Sequence, residues 1–236
     1  MVLAAGLGTR MQPITLHTPK PLVEVAGRTL LDHALDAAVG AGIGHAVVNV
    51  HHLADQIERH LAARADIETT VSDERDALMD SGGGIARALP LIAGSPFLVL
   101  NSDTFWREGR LGEGSNLARL AAAFDGETDF VLLLASHDQA VGFAGAGDFH
   151  RDDAGRLRRR GNAARAPWIY AGAMLVAPRV FVDAPAGPFS INLLFDRAIA
   201  AGRMKGVAMD GLWLHVGTPA AITEAERALA AFERAA

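Results

Sequence analysis

Short apolar runs alternate with segments of helical periodicity along the first 135 residues. The runs have the length of strands, whereas the helical segments repeat apolar positions every three or four residues, as Leu53, Ile57 and Leu61 do. The predicted strands are residues 1–5, 46–50, 67–71, 97–100 and 130–134. The predicted helices are residues 29–41, 53–63, 85–89 and 116–124. Strands that alternate with helices in this way predict a mainly parallel sheet with right-handed crossovers.

The second half of the chain has shorter strands and more turns. Its predicted elements are a hairpin region at residues 142–160, a strand at 168–176, a helix at 192–201 and a pair of strands at 207–216. The pair turns at Asp210 and Gly211, and a last helix begins with Thr218 as N-cap and Pro219 in its first position. We expect a single α/β domain over residues 1–236, with a Rossmann-like sheet flanked by helices and a smaller β-rich half.

Composition limits the kinds of partner that the chain can have. The 236 residues are 50% hydrophobic, and their formal net charge of −5 gives no reason to expect a nucleic-acid partner. The absence of cysteine excludes disulfides and thiolate metal sites, which suits the cytoplasm. No apolar run approaches the roughly 20 residues that cross a bilayer, so we expect no membrane association. The apolar stretch before Gly6 has no basic leader, so we expect no signal peptide, although a few natural residues could precede Met1.

A glycine-rich loop after the first strand is the strongest candidate for a binding site. Gly6 and Gly8 let the backbone approach a phosphate, and Arg10 adds a planar cation with several donors. The alternative is a structural turn, because Met11 stands where a dinucleotide-binding motif would have its third glycine. Pro13 also argues against a helix that starts at once.

A second loop supports the phosphate interpretation. Lys20 lies between Pro19 and Pro21, and proline fixes the backbone φ angle on each side of the lysine. A plain turn is the alternative explanation. An arginine and a lysine on two stiff loops beside a strand end are nevertheless suited to hold a triphosphate.

The sequence LAAGLGTRMQPITLHTPKPL at residues 3–22 closely resembles the signature of the sugar-1-phosphate nucleotidyltransferases. Further segments agree with that family in the same order: SGGG at 81–84, NSD at 101–103, YAG at 170–172 and VGT at 216–218. The resemblance implies transfer of a nucleotide from a nucleoside triphosphate to a sugar 1-phosphate, with release of pyrophosphate. It also implies a nucleotide-binding half at about 1–135 and a sugar-phosphate-binding half, with the C-terminal helix, at about 136–236.

The resemblance assigns roles to particular residues. Arg10 and Lys20 would be the catalytic cations. The nucleotide would contact Leu3, Ala4, Ala5, Gly6, Gly8, Thr9, Gly82 and Gly83, the last two lying against the base. The sugar phosphate would contact Gly147, Asp148, Tyr170 and Gly172. The basic run formed by Arg156, Arg158, Arg159 and Arg160 is either a solvated hairpin, which we favour, or an anion-capturing surface.

The metal site departs from the family pattern. Asp103 corresponds to the first Mg²⁺ ligand of the family, but the second carboxylate is replaced by His215 in WLHVGT. Mg²⁺ prefers hard oxygen ligands, whereas imidazole is better suited to zinc, copper or nickel. Asp103 with water and phosphate oxygens could complete the site, or Asp210 could replace the missing carboxylate.

Within the family, the chain is most similar to the compact uridylyltransferases of cell-wall recycling. Its length, SGGGI followed by ALPL, GDF at 147–149 and the lack of a Glu-Lys-Pro motif before residue 168 fit that group. This resemblance implies UTP as the donor and N-acetylmuramate α-1-phosphate as the acceptor. A mannose-1-phosphate guanylyltransferase and a non-catalytic, nucleotide-sugar-binding regulatory protein are the alternatives.

Overall fold

A computed structural model describes residues 1–109 and 114–235. The strands are β1 (Val2–Leu3), β2 (Glu24–Val25), β3 (Arg28–Thr29), β4 (His45–Val50), β5 (Glu68–Asp73), β6 (Phe97–Asn101), β7 (Thr104–Glu108), β8 (Phe130–Ser136), β9 (Ala140–Val141), β10 (Phe149–Arg151), β11 (Leu157–Arg159), β12 (Trp168–Val176), β13 (Met204–Ala208) and β14 (Gly211–His215). The helices are α1 (Leu30–Gly40), α2 (Ala54–Ala62), α3 (Asp80–Ala88), α4 (Asn116–Ala122), α5 (Asn192–Ala200) and α6 (Pro219–Ala235).

The central sheet joins the two halves of the chain. Strands β5, β4, β1 and β6 lie side by side and pair in parallel, as the alternation of strands and helices predicts. Strand β12 pairs antiparallel with both β6 and β8, and β13 extends the sheet in parallel from β8. The α/β architecture with a largely parallel central sheet is confirmed. The assignment of nucleotide binding to residues 1–135 and of sugar-phosphate binding to residues 136–236 stays a prediction, because the same sheet runs through both.

Helices cover both faces of this sheet. Leu35 of α1, Ile57 of α2 and Leu120 of α4 are fully buried in one apolar cluster. Ile85 of α3 and Phe195 of α5 belong to another cluster. No helix within the described ranges is long and apolar enough to cross a membrane.

The predicted pairing of the two strands at 207–216 is wrong. Strand β13 pairs with β8 in the central sheet, whereas β14 leaves it and pairs antiparallel with β7. In this second sheet Trp213 lies opposite Trp106, and β9 pairs on the other side of β14. No sequence pattern predicts β7, so β14 is expected to pair with its neighbour in the chain, β13.

Helix α3 also begins earlier than predicted. The sequence places a helix behind the three glycines, but α3 starts at Asp80 and includes all of them. Glycine is unfavourable in a helix by about 1 kcal/mol relative to alanine. Tertiary hydrogen bonds offset this cost, because the backbone N–H groups of Gly82 and Gly83 both donate to the carbonyl of Phe189, at 2.9 and 3.0 Å.

Candidate active site

A cleft of about 620 Å³ opens where β1, β4 and β6 reach their carboxyl ends. The chain pairs β1 with β4 on one side and with β6 on the other, and such positions are where open α/β sheets bind ligands. The cleft is lined by nine residues that the sequence predicts for the site: Leu3, Ala4, Ala5, Gly6, Gly8, Thr9, Arg10, Lys20 and Asp103. Its other lining residues are Pro21, Asn49, Glu74, Leu78, Asp80, Ser81, Asn101, Ser102 and Gly217.

The glycine loop has one glycine that is open and one that is packed. Apart from chain neighbours, no described atom lies within 4 Å of the position that a Cβ on Gly6 would take. Gly8 has a φ of +62°, and a Cβ there would lie 2.9 Å from Cγ2 of Thr15 and 3.0 Å from Cβ of Lys20. Gly8 therefore lets the loop pack directly on the side chains of Thr15 and Lys20, whereas Gly6 has open space where a side chain would be.

Lys20 stands on a rigid support, as its flanking prolines predict. Pro19 is extended, and a short 3₁₀ turn follows at Lys20–Leu22, with Pro21 buried. The ammonium of Lys20 lies 2.8 Å from Oδ2 of Asp103, and the two side chains are 12% and 30% exposed. Burial raises the pKa of Asp103, but the charge and hydrogen bond of Lys20, together with His215 and Arg10, lower it by more, so that this pKa lies below its ordinary value.

Asp103 is fixed by backbone contacts on both sides. It lies in the turn between β6 and β7, where the hydroxyl of Ser102 donates to the carbonyl of Leu3 at 2.7 Å. The carbonyl of Asp103 accepts from the N–H of Val216 at 2.9 Å. The ends of β1, β6 and β14 therefore meet at this carboxylate.

His215 faces the same carboxylate from the end of β14. Its Nδ1 lies 3.1 Å from the carbonyl of Gly142, so Nδ1 donates the hydrogen bond and Nε2 is directed toward Asp103, 4.0 Å from Oδ2. A Cβ on Gly217 would lie 2.8 Å from the His215 ring and 3.3 Å from the guanidinium of Arg10. Arg10 and Asp103 therefore line one end of the cleft, and His215 lies behind them, next to Gly217, without being part of the lining.

Asp210 does not replace the missing carboxylate. It precedes β14, at the opposite end of that strand from His215, and its backbone N–H donates to Asn116 at 2.8 Å. Within residues 1–109 and 114–235, no three His, Asp or Glu side chains are grouped so that they could hold a metal ion. Asp103 and His215 are the two candidate ligands that the structure brings together.

Gly82 and Gly83 have a different environment from the one predicted. They do not line the cleft; Asp80 and Ser81, at the start of the same helix, do. A Cβ on Gly82 would lie 2.4 Å from the ring of Phe189, and one on Gly83 would lie 2.6 Å from the carbonyl of Gly187. Contact with the protein's own chain explains why both positions lack a side chain, whereas contact with a base stays a prediction.

The four predicted sugar-phosphate residues are not part of the cleft lining. Gly172, with a φ of +83°, packs against Thr104 and Asn101, on either side of the Asp103 turn. Asp148 accepts a hydrogen bond from the N–H of Tyr170 at 2.9 Å. Gly147, with a φ of +82°, sits against the carbonyl of Ala166.

Tyr170 differs from the other three predicted sugar-phosphate residues because its hydroxyl group makes no hydrogen bond to a described residue. Its hydroxyl is buried without a hydrogen-bond partner among the described residues. Burial, and secondarily the charge of Asp103, raise the pKa of this hydroxyl well above its ordinary value. A neutral phenol donor is therefore held near the carboxylate.

Two arginines of the basic run have structural partners. Arg159 donates to Asp196 at 2.7 Å and lies over the ring of Phe149, 5.1 Å from its centroid. Arg160 donates to the backbone carbonyls of Gly147 and Ala163. These contacts favour the interpretation of the run as part of a hairpin surface.

Asn49 and Glu74 line the cleft although the sequence did not mark them as site residues. Asn49 is an ordinary polar position within β4, and Glu74 follows β5 in a run of charged residues, so neither has a distinctive local pattern. Their position at the carboxyl end of parallel strands is the one signal that could have revealed them.

Comparisons with known proteins agree with this geometry. The model of the nucleotidyl transferase family matches residues 1–156. The chain is 45% identical to N-acetylmuramate alpha-1-phosphate uridylyltransferase of Caulobacter vibrioides, over 98% of this chain and 96% of that protein. It is 31% identical to the protein of the same name from Neisseria meningitidis serogroup B, over 96% of each chain.

A solved structure agrees at the level of the fold. HddC from Yersinia pseudotuberculosis, complexed with GMP-PN, is similar with a TM-score of 0.77 over 97% of both chains, at 21% identity. The family match and the 45% identity extend beyond the fold to the sequence itself. The chain therefore belongs to the nucleotidyl transferase family, within the group of sugar-1-phosphate nucleotidyltransferases.

Proposed function

We propose that this protein transfers uridylate from UTP to N-acetylmuramate α-1-phosphate, giving the UDP-sugar and pyrophosphate. The observation that carries the proposal is the 45% identity to a uridylyltransferase of that specificity over nearly the whole length of both chains. The reaction uses a cytoplasmic nucleotide, and we assign the protein to the cytoplasm on that ground. Residues 1–135 bind the nucleotide in this proposal, and residues 136–236 bind the sugar phosphate.

The cleft has the charges that a triphosphate needs. The open backbone at Gly6 lets phosphate oxygens approach the loop, and Arg10 and Lys20 both line the same space. Without a ligand, Lys20 is paired with Asp103 at 2.8 Å. We infer that Lys20 moves to the phosphates when the nucleotide binds, since a lysine ammonium is a mobile point charge on a flexible stem.

The residues present fit a magnesium ion that is carried largely by the substrate. Mg²⁺ is usually bound by one or two carboxylates together with phosphate oxygens and water. Asp103 provides one such carboxylate in the cleft, and the imidazole of His215 lies 4.0 Å from it. When bound, the ion would neutralise charge on the phosphates.

Catalysis by the protein's own residues is mainly electrostatic. An oxygen of the sugar phosphate forms a bond to the α-phosphorus of UTP while the bond from that phosphorus to the bridging oxygen breaks, and the electron pair leaves with pyrophosphate. The attacking oxygen is already anionic, so the protein does not need to remove a proton. Arg10 and Lys20 neutralise charge on the phosphoryl oxygens and hold the two reactants in line.

The sugar phosphate approaches from the side of β12. Gly172 packs on the residues that flank Asp103, and the unused hydroxyl of Tyr170 is held close by. Together with Asp148 and Gly147 these positions form the acceptor side in our proposal. A buried hydroxyl donor without a partner favours a ligand with many oxygen acceptors, such as a sugar.

Pyrophosphate release tests the proposal directly. The protein is assayed with ATP, CTP, GTP and UTP, each against N-acetylmuramate α-1-phosphate, mannose 1-phosphate and glucose 1-phosphate. We expect the highest kcat/KM for UTP with N-acetylmuramate α-1-phosphate. A preference for GTP with mannose 1-phosphate would favour a guanylyltransferase, and nucleotide-sugar binding without any pyrophosphate release would favour a regulatory protein.

A further inference from the structure

A chain of buried hydrogen bonds connects the two walls of the cleft. The N–H of Ala4, just before the glycine loop, donates to Oδ1 of Asn49 at 2.7 Å. Nδ2 of Asn49 donates to Oε1 of Glu74, also at 2.7 Å. Oε2 of Glu74 accepts from the N–H of Met79, at the start of α3, at 3.0 Å. Asn49 is 3% exposed and Glu74 is 0% exposed, so solvent contributes almost nothing to these bonds.

The direction of each hydrogen bond in the series from Ala4 through Asn49 and Glu74 to Met79 is fixed. A backbone N–H on one side of Asn49 can only donate, and a carboxylate on its other side can only accept. The amide of Asn49 therefore has a single orientation in which both neighbours are satisfied. A hydrogen bond between buried groups also has a large cost when one partner is removed, because the other is left without water or protein to bind.

Glu74 is unusual because its charge is buried without a cation on its carboxylate among the described partners. Its carboxylate oxygens are held by an amide and a backbone N–H. A buried carboxylate in such surroundings is unfavourable, and an apolar residue would pack there at lower cost. Stability alone therefore does not account for Glu74, and the segments that its hydrogen bonds join point to a positioning role.

The connection joins the two segments that enclose the nucleotide in our proposed function. Ala4 leads into Gly6, Gly8 and Arg10, whereas Met79 precedes Asp80 and Ser81 on the opposite wall. We propose that Asn49 and Glu74 are positioning residues that hold the glycine loop at a fixed distance from α3. The inference rests on the proposed function only in that a nucleoside triphosphate occupies the cleft.

Gly84 gives independent support for a close contact between α3 and this pair. A Cβ on Gly84 would lie 2.7 Å from Oε1 of Glu74 and 3.0 Å from Nδ2 of Asn49. The helix therefore lies directly against the hydrogen bond between them. The third glycine of the SGGG segment makes room for the positioning pair.

An exchange of the amide and the carboxylate between positions 49 and 74 provides the sharpest test. Asn49→Asp keeps the acceptor for Ala4 but sets a second carboxylate against Glu74. Glu74→Gln keeps the shape but leaves one donor facing another donor. In the double variant, the new amide at position 74 donates to the new carboxylate at position 49 and still accepts from Met79, so that every bond is restored.

Steady-state kinetics with UTP and the sugar phosphate give the readout. We expect each single change to raise the KM for UTP about tenfold, the effect of one unsatisfied buried hydrogen bond. We expect smaller changes in kcat and in the KM for the sugar phosphate. The double variant should recover most of the loss in KM. Thermal unfolding of every variant is measured in parallel, because a purely structural role would lower Tm without changing the KM of the folded protein.

Gly84→Ala and Gly40→Ala form a matched pair of helix substitutions. The first places a methyl group against Glu74 and Asn49, whereas no described atom apart from chain neighbours and the helix backbone lies within 4 Å of a Cβ on Gly40. We expect Gly84→Ala to raise the KM for UTP and Gly40→Ala to leave it unchanged. This pair keeps the test decisive if Asn49→Asp does not fold.

Three results would overturn the inference: single variants with parental KM for UTP, a double variant no better than the worse single one, or equal effects of Gly84→Ala and Gly40→Ala. A parent protein that does not use UTP contradicts the proposed function instead. The same comparison is then made with whichever of ATP, CTP or GTP it turns over, because the positioning pair acts on the cleft and not on the choice of base.

Discussion

Two glycine-rich segments border the cleft, and they use glycine for different purposes. In the loop after β1, Gly6 has open space where a side chain would be, and Gly8 packs on the side chains of Thr15 and Lys20. At the start of α3, Gly82, Gly83 and Gly84 all lie against the protein's own atoms. The loop leaves room for a ligand, whereas the helix start leaves room for the rest of the fold.

The difference matters for how such segments are interpreted. A glycine motif taken from a family signature suggests contact with the ligand at every glycine. The structure separates the positions by what a Cβ would meet, which is empty space at Gly6 and the ring of Phe189 at Gly82. Substitutions at Gly6 and at Gly82 should therefore fail in different ways, the first in nucleotide binding and the second in folding.

The loop side of the comparison is tested most strongly at Lys20. We expect Lys20→Ala to lower kcat/KM by about 10²–10³, the usual loss for one charge contact in a transition state. Tm should change little, since Lys20 forms its ion pair with a single carboxylate at the rim of the cleft. Pyrophosphate release and thermal unfolding are the measurements.

Lys205→Ala is the matched control for that change. Lys205 also forms an ion pair, with Asp125, but lies on β13 outside the cleft lining. Parental activity is expected for this variant. Near-normal turnover in Lys20→Ala would contradict the role of Lys20.

Asp103→Asn tests whether the metal belongs to the same ligand-facing region. Asparagine has nearly the same shape but no charge, so the attraction for Mg²⁺ falls. We expect the magnesium concentration for half-maximal rate to rise by more than about tenfold. Removal of a residue that only orients a metal ligand already lowers metal affinity by about tenfold, and Asp103 is a direct ligand in our proposal. Unchanged magnesium dependence would remove Asp103 from the metal site.

The two glycine segments are compared directly by Gly82→Ala and Gly6→Ala. The first should lower the free energy of unfolding by about 1–3 kcal/mol, because a methyl group would overlap the ring of Phe189. The second should leave stability unchanged and raise the KM for UTP several-fold. Chemical unfolding and kinetics decide the matter, and a stability loss in Gly6→Ala equal to that in Gly82→Ala would refute the distinction.

His215→Asp should have the smallest effect and sharpens the account of the metal. A carboxylate on the same backbone would add a hard ligand next to Asp103, so we expect half-maximal rate at a lower magnesium concentration. His215→Asn, which adds no charge, is the control. If His215 instead contacts a phosphate, the Asp variant will be slower at every magnesium concentration.

The sequence predicts the glycine loop after β1 far better than it predicts the start of α3. Gly6, Arg10 and Lys20 lie in one short stretch, and the structure brings all three to the cleft. Most of the alternating strands and helices also follow from local periodicity. Local patterns suffice here because each element is specified by residues that are neighbours in the chain.

Features that depend on distant packing could not be predicted. The start of α3 depends on the carbonyl of Phe189, which lies far along the chain. Strand β14 pairs with β7 rather than with β13, and no local sequence pattern in β14 or β7 indicates this pairing. Asn49 and Glu74 are single polar residues whose role arises only when β4 and β5 are adjacent.

A crystal structure of the protein with UTP and magnesium, without acceptor, tests the central claim most directly. The account predicts a triphosphate against Gly6, Gly8 and Arg10, with the ammonium of Lys20 moved from Asp103 to a phosphate oxygen. It also predicts a base near Asp80 and Ser81, and an unbroken hydrogen-bond chain through Asn49 and Glu74. A nucleotide bound elsewhere, or bound in the cleft while Lys20 stays paired with Asp103, would contradict it.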